Sequence, residues 1–372
     1  MNVSPAQIEA SYAACRRVGR QAASNFPAAF LLLPRAERRA MDALYAFMRH
    51  TDDLVDNAGT VPVFVRRIGD GSLPAADPNA SRVDDGTGAT GSASAGACLR
   101  PPTPNVPKAP ADPVAPSCCT SDAELNKAAL DRWRAALEDA LKGERHSVAA
   151  NGPAVADGPV DQLGLALLPA LADTVKRFQI PPQHLRAVLD GVERDLSPPC
   201  YETFADLERY CEQVASAVGL ACIHVWGFRG PEALEPARAA GIALQLTNIL
   251  RDLKEDARAG RVYLPHDDLR QCGYGVEDLR RGVTGPAFRR LMDLEITRAT
   301  EFYRSGVRLL ELLEPAGQPI FGMMMATYRV LLEQIARRPE DVFLRRVRVS
   351  RPRKWRIAAR WALLPPRAAA LL

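Results

Sequence analysis

Aromatic residues are scarce in this chain, 6% of its 372 residues, and none falls between Phe64 and Trp133. Gly, Pro, Ala, Ser and Asp dominate that stretch, which lacks the apolar surface needed to offset the entropy of ordering it. Residues 69–121 are therefore expected to be a disordered insertion, tolerated because loop-closure entropy grows only slowly with length. Residues 1–64 make a poor independent core, so an interdomain linker is the weaker alternative. No run nears the ~18 apolar residues needed to cross a bilayer. The start, MNVSPAQIEA, lacks the basic and apolar regions of a secretion signal. A cytoplasmic protein is expected. The eight cysteines (15, 98, 118, 119, 200, 211, 222 and 272) include no CxxC pair, which favours free thiols over a disulfide framework or zinc site. Period-2 alternation is nearly absent, VPVFV at 61–65 being the one short candidate strand.

Acidic residues are missing from one end. Residues 345–372 hold eight Arg, one Lys and no acid, leaving 39 basic against 44 acidic residues in the first 344. A body of −5 thus carries a tail of +9, which suggests an anionic partner, either a membrane surface or nucleic acid.

The remaining periodicity is helical, over 36–56, 122–143, 161–178, 183–194, 204–228, 232–257, 286–313 and 318–337. An all-α single domain around a central cavity is expected, running over 1–355 with the 69–121 interruption and followed by a basic amphipathic tail at 356–372. Within 36–56, Met41, Leu44, Tyr45, Met48 and Asp52 share one face. Asp52 and Asp56 lie one turn apart, with Arg49 beside them. A lone DxxxD is usually a solvated acidic face, but ALYAFMRH and the intervening Leu-Val read as buried. A second stripe, Gln245, Asn248, Asp252 and Asp256, runs along an otherwise apolar helix whose other sides carry Leu246, Ile249, Leu250 and Leu253. Unpaired buried carboxylates are costly, so such stripes must face water or a lined cavity. Oxygen ligands without His or Cys favour magnesium, which takes carboxylates, waters and phosphate oxygens together. Two acidic walls would hold several such ions and, through them, diphosphate groups, with Arg49, Arg251 and Arg261 as direct phosphate contacts.

These residues resemble the squalene and phytoene synthases, the head-to-head trans-isoprenyl diphosphate synthases. The likeness covers roughly 10–64 and 122–355. It rests on LYAFMRHTDDLVD, DGVERDL (190–196), YETFADLERYCEQVASAVGLACIHVWG (201–227) and QLTNILRDLKEDARAGRVYLP (245–265). The resemblance implies an isoprenoid-synthase fold with a hydrophobic cavity that takes two all-trans prenyl diphosphates and two or three Mg2+ ions. It implies that Asp52 and Asp56 ligate metal at the diphosphate that ionises first, and that Asn248, Asp252 and Asp256 serve the opposite wall. Ser24, Arg49 and Gln245 match positions that hold phosphate or its metal shell, with Phe26 in the same early segment. Tyr45, Tyr210 and Tyr328 match aromatic positions around the reacting carbons, and Val214, Val218 and Gly219 match the tunnel lining, although small residues such as Gly219 serve close helix packing equally well. Asn25 stands where the family often has Ser before Phe, which weakens the first phosphate contact.

The implied activity is release of one diphosphate, attack on the resulting cation by the second substrate's double bond, and proton loss to a cyclopropylcarbinyl diphosphate. Farnesyl diphosphate, giving presqualene diphosphate or squalene, is the expected substrate; geranylgeranyl diphosphate, giving phytoene, is the alternative. No strand-flanked dinucleotide fingerprint points to NADPH, but reductive family members need none, so that cofactor is left open. A non-catalytic binding or assembly protein would be expected to lose an aspartate from one motif, and all four are present. A cyclising terpene synthase fits QLTNILRD less well. Long hydrocarbon products belong in membranes, and the tail interleaves its cations with Trp355, Trp361, Leu363 and Leu364. Peripheral contact with the inner face of the membrane is therefore expected, nucleic acid is not, and downstream isoprenoid enzymes are candidate partners. Some arginines of 345–356 are alternatively expected to contact the body.

Overall fold

A computed structural model describes residues 3–21, 29–55, 122–143, 162–197 and 199–371. All belong to one compact unit, Met1–Gly71 with Ser121–Leu372. The expected insertion at 69–121 and the candidate strand at 61–65 lie outside the described residues.

Helices α1 (Pro5–Gln21), α2 (Arg35–Val55), α3 (Asp122–Lys142), α4 (Gln162–Arg177) and α5 (Pro182–Arg194) form the first half. Helix α6 (Phe204–Cys211) continues through a π-helical turn (Glu212–Ser216) into α7 (Ala217–Trp226), and α8 (Leu234–Arg251) and α9 (Leu253–Arg258) follow. Next come α10 (His266–Gln271), α11 (Val276–Arg281), α12 (Pro286–Val307), α13 (Leu309–Leu312), α14 (Gln318–Arg337), α15 (Asp341–Leu344) and α16 (Arg351–Leu363). The all-α expectation holds: among the described residues there is no strand, only an isolated bridge between Phe228 and Leu313. Cys15, Cys200, Cys211, Cys222 and Cys272 are free thiols, as expected.

Helix α8 is the centre of the bundle. It is buried on nearly every side, as an apolar helix must be when neighbours enclose it. Two glycines permit the close approach. A Cβ on Gly241 would stand 2.5 Å from Ser216 Cα in the π turn, and one on Gly306 of α12 would stand 2.8 Å from Ala240 Cα. The start of α6 is fixed by a capping box in which Asp206 N–H donates to Thr203 Oγ1 and Thr203 N–H donates to Asp206 Oδ2. On the outer side, α1 docks through Tyr12 and Cys15 onto Ala43, Ala46, Leu167 and Ala170.

Two features depart from simple periodicity. The expected continuous helix over 232–257 breaks at Asp252 (φ −100°, ψ 13°), so Asp252 sits at a junction and Asp256 belongs to the short α9. The tail is also more ordered than a trailing segment. Helix α16 spans the expected boundary at 355, and Trp361 is buried against Gly322 of α14, where a Cβ would come 2.2 Å from its ring.

Candidate active site

The central cavity lies between α2, α7, α8 and α14. Its walls are almost wholly apolar, and each follows from one helical stripe. Helix α2 supplies Met41, Leu44, Tyr45 and Met48, and α8 supplies Ala237, Ala240, Gly241, Leu244, Gln245 and Asn248. Extending each stripe by one turn leads to Asp52 on α2 and to Asp252 just beyond α8, so each acidic motif continues one wall. Trp226, Leu309 and Phe321 line the cavity as well. Trp226 is the last residue of α7 and abuts Gly317, the residue before α14, which puts it at the opposite, closed end.

Polar interactions concentrate at the acidic end. Arg251 donates to Asp252 through both Nε (2.8 Å) and Nη2 (2.5 Å), a bidentate pair in a buried setting. Arg346 approaches the same carboxylate at 3.4 Å, and Arg261 lies 3.8 Å from Asp256. Tyr328 is buried and receives hydrogen bonds from Asn248 and Arg251; burial pushes its hydroxyl up to about 12, against the pull of the Arg251 cation. It is therefore neutral at physiological pH. Asp52 is buried as well. Arg49 pairs with Asp53, at 2.7 Å and 3.0 Å, one turn away. Burial raises the Asp53 carboxyl and Arg49 opposes the rise.

Other sequence-predicted residues are distributed differently. Tyr45, Val218, Gly219, Gln245 and Asn248 line the cavity, and Tyr45 meets Phe30 edge to face at 6.3 Å. Val214 is not among the lining residues. Its side chain packs on Gly191 of α5, because the extra residue in the π turn shifts the helical phase and turns Ala215 toward the cavity in its place. Tyr210 is also buried away from the lining, and its hydroxyl donates to both oxygens of Asp195 (3.0 and 2.9 Å). Tyr263 donates to the same carboxylate and stacks on Tyr210 with ring centroids 5.4 Å apart. Ser24, Phe26 and Asp56 lie outside the described residues. Sequence reasoning missed Asp195, although it quoted DGVERDL, and it placed Arg346 among the 345–356 arginines that could contact the body without singling out its pairing with Asp252.

Among the described residues no three His, Cys, Asp or Glu side chains gather closely enough to hold a metal ion. The donors present nevertheless fit magnesium. Asp52, Asp252 and Asp256 are buried carboxylates, the hard ligands this ion takes. Asn248 Oδ1 is buried at the cavity and accepts no hydrogen bond, and an oxygen left so is costly unless a cation or its water satisfies it.

The comparisons with known proteins agree with this geometry. The chain is 30% identical over 362 residues to the 15-cis-phytoene synthase of Synechococcus elongatus, covering 94% of this chain and 91% of the relative. It is 31% identical to the chloroplastic phytoene synthase 2 of Solanum lycopersicum, covering 97% and 93%. Among solved structures, a dehydrosqualene synthase in complex with a ligand superposes with a TM-score of 0.65 at 21% identity, covering 96% of each chain. The squalene synthase HpnC of Alicyclobacillus acidocaldarius gives 0.63 at 23%, covering 91% and 97%. The family pattern described as squalene/phytoene synthase matches residues 20–89 and 111–353, and with that match the cavity and its two acidic walls find their place: the chain belongs to the squalene/phytoene synthase family of prenyltransferases.

Proposed function

We propose that this protein joins two molecules of all-trans geranylgeranyl diphosphate head to head, releasing diphosphate and giving phytoene by way of a cyclopropylcarbinyl diphosphate. The carrying observation is an apolar cavity closed at Trp226 and bounded at its other end by Gln245, Asn248, Arg251 and Asp252. The relatives named phytoene synthase support the longer of the two candidate chains, which differs from the farnesyl expectation. Along α14, from Tyr328 at the polar end to Gly317 beside Trp226, eleven residues advance ~16–17 Å. An extended prenyl chain advances ~1.25 Å per C–C bond of about 1.52 Å, so a farnesyl chain reaches ~14 Å and a geranylgeranyl chain ~19 Å. The longer chain must bend to fit that span, and farnesyl diphosphate, which fits it extended, is the second reading.

Arg251, Arg261 and Arg346 supply fixed positive charge near the diphosphate of the substrate, and Asn248 and Gln245 orient its polar head. Asp52, Asp56, Asn248, Asp252 and Asp256 would hold magnesium, whose chemistry there is charge neutralisation of the departing diphosphate. As the allylic C–O bond breaks, the electron pair leaves with the diphosphate. Tyr45 and Phe30 face the cavity with π surfaces that stabilise the cation without trapping it as a nucleophile would. The apolar walls exclude water that would otherwise quench it. The second substrate's double bond then forms the new C–C bond, and the proton it loses goes to the released diphosphate; ionisation of the cyclopropylcarbinyl diphosphate expels the second diphosphate with its electron pair, and rearrangement with loss of a second proton gives phytoene. Tyr210, held on Asp195, acts on this geometry from behind the wall.

The test is incubation of the purified protein with magnesium and either geranylgeranyl or farnesyl diphosphate, with and without NADPH. A forty-carbon product formed without NADPH and abolished by EDTA is expected. No diphosphate release from either substrate would overturn the reading.

A further inference from the structure

We propose that the outward face of α16 is a preformed docking surface for an anionic lipid bilayer. The helix has two sides with opposite roles. Ile357 packs against the core and Trp361 is buried on Gly322, while Arg353 lies 3.8 Å from Glu333 of α14. These residues hold the helix on the body. The other side carries Arg351, Trp355, Ala359 and Leu363 at four-residue spacing, all exposed, with Arg356 beside them. Trp355 is 73% exposed, Leu363 79% and Leu364 53%. A monomeric soluble helix has no use for a row of bare Trp and Leu, and apolar rows of this kind mark interaction surfaces.

Charge identifies the occupant. No acidic residue follows Asp341. Arg346 is committed to Asp252 and Arg353 to Glu333 on the body, and Arg345 pairs with Asp341 one turn away. Arg351, Arg356, Arg360 and Arg367 flank the apolar row or follow it closely, and Arg360 donates to the carbonyl of Pro365. Tryptophan and leucine flanked by arginine match the bilayer interface, where the apolar groups enter the acyl boundary and the guanidinium groups meet anionic headgroups. A protein partner of negative charge would match the arginines but leave the apolar row unexplained. Because Trp361 already fixes the helix, docking orders no additional chain, unlike an amphipathic segment that folds on the membrane.

The experiment is vesicle co-sedimentation of the full-length protein. It compares phosphatidylcholine vesicles with vesicles containing phosphatidylglycerol, at low and high salt. Binding only to the anionic vesicles, weakened by salt, is expected. Arg351→Ser with Arg356→Ser should lower partitioning about 25-fold, at roughly five-fold for each basic residue near the surface. Trp355→Ser with Leu363→Ser should lower it at least about ten-fold. Both double variants should keep wild-type helicity and wild-type turnover of detergent-dispersed substrate. Equal binding to neutral and anionic vesicles, or undiminished binding by either folded variant, would overturn the proposal. So would retention of RNA with no vesicle binding. Loss of turnover with intact vesicle binding would count against the catalytic reading instead.

Discussion

Replacing Trp226 with alanine removes the closed end of the cavity, and the effect can be worked out from its surroundings. The indole reaches ~5–6 Å beyond Cβ at roughly 1.4 Å per bond, and one further isoprene unit lengthens a prenyl chain by four bonds, or ~5 Å. Deleting the side chain therefore makes room for about one unit. Loss of a buried tryptophan ordinarily costs about 3–5 kcal/mol. Here the indole N–H is buried with no hydrogen-bond partner, and its removal returns about 1–3 kcal/mol. The net loss is small enough for a protein of ordinary stability to stay folded. Gly317→Ala acts in the opposite sense, because a Cβ there stands 2.6 Å from Trp226 Cβ and must drive the indole into the cavity. The assay is competition among fifteen-, twenty- and twenty-five-carbon prenyl diphosphates with mass-spectrometric product analysis. Trp226→Ala should raise use of the twenty-five-carbon substrate relative to the twenty-carbon one by about ten-fold, equivalent to ~1.4 kcal/mol of relieved clash. Gly317→Ala should favour the fifteen-carbon substrate. Active variants that keep the wild-type preferences would refute Trp226 as the floor.

Three further outcomes follow from other parts of the molecule. Asp252→Asn and Asp52→Asn should each reduce diphosphate release on the order of 10³-fold and weaken magnesium binding in calorimetry without change in circular dichroism; retained turnover would remove these residues from the metal site. Gly241→Ala should destabilise by about 1–3 kcal/mol, since the new methyl meets the backbone of the π turn and not a yielding side chain, and an unchanged melting temperature would show that α8 and the π turn separate freely. Glu295, buried beside Asp268 and hydrogen-bonded to Arg298 at 3.0 Å, has its pKa driven well above the ordinary 4.5 by burial, with Arg298 opposing and Asp268 reinforcing the rise. A raised folded pKa means its stabilisation is complete below pH 4.5 and is lost as pH climbs through the elevated value, at up to about 1.4 kcal/mol per pH unit. Denaturation of Glu295→Gln between pH 4.5 and the elevated value should therefore show a flatter profile than wild type, and parallel profiles across that window would refute the buried proton.

The helices and the wall stripes were legible because burial imposes a 3.6-residue period that survives in a single sequence. Met41 to Met48 and Gln245 to Asn248 lie where that period puts them. Val214, which the family resemblance put in the tunnel lining beside Val218 and Gly219, packs on Gly191 instead. The π turn adds a residue between Cys211 and Ala217, and nothing in the residue types of EQVAS announces i→i+5 hydrogen bonding. The break at Asp252 was hidden similarly. QLTNILRDLKED reads as unbroken helix, and only the placement of its polar stripe hinted that the chain had reason to turn there.

Long-range pairing was the other loss, and it bears most on the tail. Composition shows nine cations with no acid, but composition cannot say which of them a distant carboxylate claims. Arg346 belongs to the active-site end through Asp252, nearly a hundred positions away in the chain, whereas Arg351 and Arg356, only five and ten positions further on, face outward. Tryptophan divides the same way, since Trp361 is interior and Trp355 is bare. A single run of basic and aromatic letters therefore contains a catalytic-end contact, a surface and a packing anchor set within that surface. The helical period separates the anchor from the surface once one buried residue is known. Only the fold supplies that residue, because it is Gly322, on another helix, that makes room for the ring.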